Sequence, residues 1–345
     1  MIREAIKKVV SGGNLDQEEA GSVMELIMDG EASPAQIAAL LIAMRLKGET
    51  VEEITGFARV MRSKALPVHT GHRTVVDTCG TGGDGVNTFN ISTAAALVVA
   101  GCGVPVAKHG NRSVSSRCGS ADVLEALGVN INLSPREAEE CLENLGIAFL
   151  FAPALHVAMK HAAGPRREIG VRTVFNVLGP LTNPVGANAQ VLGVFSRELV
   201  PKLAGVLARL GTKRSFVLHG AGGTDEITPY GPASVCEVFN GKINSYQIDP
   251  AAFGIRRSPL ESLKGGTPAE NAAIINNILA GETGPRRDAV ILNAALALVA
   301  AGAAEDFARG LEVAGDSIDS GRALNKLNDL VAFTRTRPVK KAAIS

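Results

Sequence analysis

The chain of 345 residues sets 35 Lys and Arg against 34 Asp and Glu, a net charge of +1, and is 46% hydrophobic and 20% charged. So much apolar sequence excludes disorder as the resting state, and so even a balance excludes a protein that coats nucleic acid through a general basic field. The length suits about two domains of roughly 150 residues, or one large α/β unit.

The N-terminus, MIREAIKKVVSGG, lacks the apolar core and small-residue cleavage site of a secretory signal. Residues 1–70 then read as punctuated helices. Asp16 with Glu19, Ser33 with Pro34 and Gln36, and Thr50 with Glu53 each have capping-box spacing. Gly30 and Gly48 stand where glycines stop the first two of these helices. Between the caps, Val23, Leu26 and Ile27, then Ile37, Leu40, Leu41 and Met44, recur at helical spacing. These stripes must pack on one another, on the rest of the chain or on a partner subunit.

After Pro67 the pattern changes. Residues 75–79 (VVDTC) form a short apolar run ending in a glycine-rich loop, and an alanine-rich helix spans about Ile91 to Ala100. Strands are expected at 104–110, 147–152, 189–195 and 215–220. Helices are expected from near Ser120, from the Ser134-Pro135-Glu137 cap to Gly146, and from Glu198 to Leu210. Such alternation predicts a largely parallel sheet covered by helices. Asn240-Gly241, between two alternating runs, marks a hairpin and therefore antiparallel strands in the later half. The apolar stretch Ala289–Ala304 contains Asn293 and falls short of the roughly 20 residues a membrane span needs. Cys79, Cys102, Cys118, Cys141 and Cys236 are odd in number and form no CxxC pair, which points to a reducing, cytoplasmic setting without disulfides or structural zinc.

Four segments could carry chemistry. Gly80-Thr81-Gly82-Gly83-Asp84 follows a strand and leads to Asn90, Ser92 and Thr93 at a helix start, where free amides and the macrodipole favour phosphate. It matches neither GxGxxG nor GxxxxGK[ST], and a plain strand-to-helix turn would carry the same glycines. Lys108 to Arg117 holds three cations and three serines, with no acid before Asp122; an exposed polar loop is the alternative. In an open α/β sheet, two loops at carboxyl ends of strands share a crevice, which suggests a ligand phosphorylated at both ends. Asp225-Glu226 could hold Mg²⁺ together with substrate phosphate, or be a solvated acidic turn. Residues 156–184, with His156, His161, Arg166, Arg167 and Arg172, could be the basic face of a helix. An arginine there could instead pair with a substrate carboxylate.

The strings CGTGGD, NxST (Asn90–Thr93), KHGNRSVSS with GSADVLEALG, HxAM (His156–Met159), RTVFNVLGPLTNP and DEIT resemble the anthranilate phosphoribosyltransferase family in order and spacing over nearly the whole chain. The resemblance implies a nucleoside phosphorylase/phosphoribosyltransferase-like plan: a smaller all-α domain and an α/β domain with a mixed, mainly parallel central sheet flanked by helices. The all-α domain would take residues 1–70 plus an excursion of about 165–185 and form a homodimer. The α/β domain would take 71–164 and 186–345. The implied reaction transfers the phosphoribosyl group of phosphoribosyl pyrophosphate to anthranilate in tryptophan biosynthesis, with no nucleic-acid or membrane partner.

By motif position, the resemblance assigns donor binding to Gly80, Gly83, Asp84, Thr88, Asn90, Ile91, Ser92, Thr93, Lys108, His109, Gly110, Asn111, Arg112, Ser113, Val114, Ser115, Ser116 and Ser120. It assigns Mg²⁺ to Ser92, Asp225 and Glu226, and anthranilate to Gly80, Asn111, His156 and Arg166. No general base or nucleophile is expected. Val157 and Pro165 depart from the family strings, where a proline and a valine are expected, and both lie near the acceptor path. A pyrimidine nucleoside phosphorylase of the same class would instead depend on free phosphate, and a nucleic-acid-binding paralogue would need a basic excess.

Overall fold

Four helices open the chain: α1 (Ile2–Val10), α2 (Gln17–Met28), α3 (Pro34–Lys47) and α4 (Val51–Lys64). The three capping boxes read from sequence form at Asp16, Ser33 and Thr50, and Gly30 and Gly48 follow their helices with positive φ. The computed structural model describes residues 1–83, 85–113 and 117–337.

The sheet then begins with β1 (Val76–Gly80), α5 (Ile91–Gly101), β2 (Val106–Gly110), α6 (Ser120–Ala126), α7 (Pro135–Leu145) and β3 (Ile147–Phe151). An irregular stretch follows, carrying α8 (Ala152–Leu155), α9 (Lys160–Ile169) and α10 (Phe175–Leu178). Residues 156–184 are therefore several short pieces, not one basic helix face. The chain returns through β4 (Ala189–Gly193), α11 (Leu199–Arg209), β5 (Arg214–His219), β6 (Ala233–Phe239) and β7 (Lys242–Ile248). It ends in α12 (Pro268–Leu279), α13 (Pro285–Ala301), α14 (Phe307–Asp319) and α15 (Arg322–Arg335).

The strand order is β3-β2-β1-β4-β5-β6-β7, parallel through β5 and antiparallel from β5 to β7. The hairpin turns at Asn240 (φ 48°) and Gly241 (φ 77°), the left-handed pair a two-residue turn requires. This is the mixed, mainly parallel sheet the alternation predicts.

Strand alternation divides the interior. Ala189 and Val191, Phe216 and Leu218, and Ala233 and Val235 face a core built with α5 and α13. Leu192 and Val194, Val217, Cys236 and Val238 face a second core, shared with α11, the helices α1–α4 and residues Ala162, Phe175 and Leu178. The irregular stretch thus packs with the N-terminal helices, α9 lying on α2 and α3. Because β1 runs on to β2 and β3 on one side while β4 returns on the other, a topological switch point falls between β1 and β4, and a crevice opens at their carboxyl ends.

Candidate active site at the switch point

Three segments meet in that crevice. The glycine loop leaves β1 and is tied to β4: the Thr81 amide donates to the Gly193 carbonyl (2.9 Å) and the Phe195 amide to Thr81 Oγ1 (3.1 Å). The Asp225-Glu226 turn descends from β5 onto the ends of both strands. A Cβ at Gly193 would collide with the Asp225 carbonyl and one at Gly80 with its carboxylate, so these two glycines make the approach possible. Asp225 Oδ2 accepts from the Gly82 amide (3.0 Å) and Glu226 Oε2 from Thr88 Oγ1 (3.3 Å). A small cavity beside them is lined by Ser92, Asp225, Glu226 and Asn293.

The N-terminus of α5 faces the same region. Its cap residue Asn90 makes no side-chain cap; it donates instead to the Cys118 carbonyl (3.1 Å) and accepts from Asn271 (2.9 Å), joining the loop after β2 to α5 and α12. Ile91 is fully buried, and Thr93 Oγ1 is buried with no hydrogen-bond partner among the described residues. Ser92 Oγ accepts from Lys108 Nζ at 3.3 Å.

The loop after β2 differs from a free cluster of donors. Lys108 turns inward: its ammonium is buried, donates to the Thr78 carbonyl (2.6 Å), and burial pushes its pKa down. Arg112 donates to Asp122 (3.1 Å) and to both oxygens of Glu125 (2.5 and 2.9 Å), two acids that α6 brings against a loop containing none. Ser120 Oγ donates to the Asn111 carbonyl (3.3 Å), a Cβ at Gly110 would strike that hydroxyl, and the Ser113 amide donates to Asp122 (3.0 Å). Asp84, Val114, Ser115 and Ser116 lie outside the described residues.

On the far side of β2, the His109 and His156 rings lie 5.0 Å apart, both buried. Burial lowers His109 to about 3, helped by His156, and lowers His156 to about 4. His109 faces the Gly179 backbone and His156 the Thr182 backbone, and both Nε2 atoms are buried and unpartnered among the described residues. Arg62 and Gln190 take the intervening carbonyls of Leu181 and Pro180 (both 2.6 Å). The two middle carbonyls of the strap from Gly179 to Thr182 are thereby held by side chains from two different elements. Asn183 closes the strap, donating to Asp77 Oδ2 (2.9 Å) and to the Ala107 carbonyl (2.8 Å). Arg166 stacks on Phe175 at 4.9 Å, and burial lowers its pKa.

Sequence reasoning assigned no role to Asp77, Asn183, Asn271 or Asn293, and named Arg172 only among the five basic residues of 156–184. Arg172 donates to the Gly83 carbonyl and stacks on Phe195 at 4.3 Å. For Asp77 and Asn293 a signal existed: each is a polar residue inside an apolar run.

Residues 72–324 match the family model "Glycosyl transferase family, a/b domain", and residues 3–65 match "Glycosyl transferase family, helical bundle domain". An anthranilate phosphoribosyltransferase of Pelotomaculum thermopropionicum is 66% identical over 344 residues, covering 100% of both chains. The crystal structure of the Thermus thermophilus anthranilate phosphoribosyltransferase superposes with a TM-score of 0.91 at 49% identity, covering 96% of this chain and 99% of that one. The Saccharomyces cerevisiae anthranilate phosphoribosyltransferase, solved in complex with PRPP and Mg, gives 0.90 at 28% identity, covering 97% and 98%. Likeness of this degree runs through both the helical and the α/β part, and the chain belongs to the anthranilate phosphoribosyltransferase family.

Proposed function

We infer that this chain transfers the 5-phosphoribosyl group of phosphoribosyl pyrophosphate to the amine of anthranilate, giving N-(5-phosphoribosyl)-anthranilate and pyrophosphate in tryptophan biosynthesis. The observation that carries the reading is the meeting of the glycine loop, the α5 N-terminus and the Asp225-Glu226 turn at the switch point.

Mg²⁺ prefers oxygen donors and keeps ligands for substrate phosphate. The Ser92, Asp225 and Glu226 groups that line one cavity are oxygen donors, and among the described residues no cluster of three His, Cys, Asp or Glu would cage a metal alone. That set fits an ion shared with a pyrophosphate: Ser92, Asp225 and Glu226 would hold it, and when bound it supplies positive charge to the leaving group. Gly80, Gly83, Thr88 and the Asn90–Thr93 turn are assigned to the donor. There the amides and dipole of α5 stabilise anionic charge, and the unpartnered Thr93 hydroxyl supports the assignment. Lys108 to Ser113 and Ser120 shape the second wall, Lys108 acting through Ser92 and the β1 carboxyl end.

For the acceptor, Arg166 is a half-buried cation that no described carboxylate pairs, suited to the anthranilate carboxylate. His156, Asn111 and Gly80 line its path. His109 and His156, held well below the ordinary imidazole range, are neutral at neutral pH and orient the acceptor without delivering a proton. The aromatic amine is neutral before it attacks, so positioning suffices and no general base or nucleophile is assigned. Anthranilate fluorescence, followed with phosphoribosyl pyrophosphate and Mg²⁺, tests the reading. Conversion is expected only when all three are present, and conversion without the donor or the metal overturns it.

We divide the chain into a helical domain (1–70 with about 165–185) and an α/β domain (71–164 and 186–345); α9, which packs on α2 and α3, straddles that boundary. Homodimerisation through the helical domain is supported by Val10 and Leu46, 69% and 83% exposed there. Light scattering after size exclusion should give twice the chain mass, and Leu46→Glu should shift it toward one. Five unpaired cysteines support residence in the cytoplasm, and among the described residues no helix is long and apolar enough to cross a membrane.

A further inference from the structure

Helix α13 is buried without interruption from Ala289 to Ala300, and Asn293 is the one polar residue in that run. A primary amide in such surroundings is costly unless its donors and acceptor are met. Asn293 Oδ1 accepts from the Ile227 amide (3.1 Å), and Nδ2 donates to the Ile227 carbonyl (2.8 Å) and the Ala289 carbonyl (2.8 Å). One side chain thus matches both backbone groups of a single residue, as a neighbouring strand would, and that residue directly follows Glu226. On the other side of the turn, Thr224 Oγ1 donates to the Glu226 carbonyl (2.8 Å).

We propose that Asn293 and Thr224 are positioning residues for the Asp225-Glu226 pair, fixing its backbone so that both carboxylates meet one divalent ion; this rests on the metal assignment made above. Adjacent carboxylates repel and would separate if their backbone could move. Here it cannot: Asp225 lies on Gly193 without room for a Cβ, Glu226 is held by Thr224, and Ile227 is held by Asn293. The freedom that remains is in the side chains, whose oxygens already reach Gly82 and Thr88. Only an amide serves at position 293, because the task needs an acceptor and a donor together. Leucine has similar volume and neither, which separates the hydrogen bonds from the packing.

The test measures binding of phosphoribosyl pyrophosphate by calorimetry across a Mg²⁺ titration without anthranilate, with Mn²⁺ binding by electron paramagnetic resonance as a second readout. Asn293→Leu and Thr224→Val should each raise the half-saturating metal concentration about tenfold or more, the range found for residues that orient ligands from behind. The anthranilate KM should stay unchanged, and Thr224→Ser, which keeps the hydroxyl, should restore the wild-type requirement. An unchanged metal requirement in folded Asn293→Leu overturns the proposal, as does an equal loss of affinity for both substrates. If Asn293→Leu does not fold, Thr224→Val and its serine rescue decide. Asp225→Asn/Glu226→Gln is the control. If it retains metal-dependent donor binding, the metal assignment falls and this inference with it. If it loses that binding while Asn293→Leu and Thr224→Val do not shift, only the positioning role falls.

Discussion

Lys108, Arg112 and Arg166 are all cations of the candidate site, and burial and partners give them different work. Lys108 is spent on the Thr78 carbonyl and Ser92, and Arg112 on Asp122 and Glu125. Arg166 keeps its guanidinium against Phe175 with no described carboxylate near it, so a carboxylate ligand would gain the full charge-assisted contact. Arg166→Ala should therefore raise the anthranilate KM by a factor corresponding to about 1.5–3 kcal/mol. The KM for phosphoribosyl pyrophosphate should hardly move; steady-state kinetics with each substrate varied in turn is the check, and an unaltered anthranilate KM removes the assignment. The cations were visible in the sequence but their division of labour was not. Glu125 lies 13 positions from Arg112, and only the fold of α6 brings them together.

The strap Gly179–Asn183 ties α4 to strands of the sheet. Its middle carbonyls are taken by Gln190 from β4 and Arg62 from α4, His109 and His156 face its two ends, and Asn183 joins it to Asp77 in β1. Asn183→Ala would leave the buried Asp77 carboxylate and the Ala107 carbonyl each short of a donor. Unsatisfied buried groups cost about 1–3 kcal/mol apiece, so a loss of about 2–6 kcal/mol in unfolding free energy is expected from urea titration. The capping boxes of α2, α3 and α4 and the Asn240-Gly241 turn could be read directly, because their partners lie within four residues. The strap could not. Its bonds join residues far apart, such as Arg62 with Leu181 and Asp77 with Asn183, and no local periodicity encodes them. The acidic turn stands between these cases: its residues were legible, and the helix that holds it in place was not.

At the scale of the whole molecule, His109 on β2, Asp77 on β1 and His156 beside them are buried groups whose protonation links folding to pH in the acid range. His109 and His156 lie at about 3 and 4 in the folded chain against an ordinary 6.5, so each stabilises above pH 6.5 and loses that contribution as pH falls toward its folded value. Asp77 has the opposite sign. Burial raises it from 3.8 to about 6, so its contribution is present at low pH and lost as pH rises through 6. Between pH 6.5 and 6 the unfolded chain takes up protons at both histidines unopposed. From 6 toward 5 the folded chain takes up one at Asp77, leaving a net difference of one. Each net proton is worth about 1.4 kcal/mol per pH unit, so stability should fall steadily on acidification through this window. Acids with lowered values, such as Glu143 and Asp122, titrate below it, whereas Asp288, raised by burial, has the sign of Asp77. Asp77→Asn removes the compensating group: whatever its effect at neutral pH, its stability should fall about twice as steeply between pH 6 and 5 as the net difference rises from one proton to two. Urea midpoints at half-unit steps from pH 7 to 5 measure both slopes. A flat wild-type profile would mean that the paired imidazoles accept protons inside the fold, and the neutral pair beside the acceptor path would have to be abandoned.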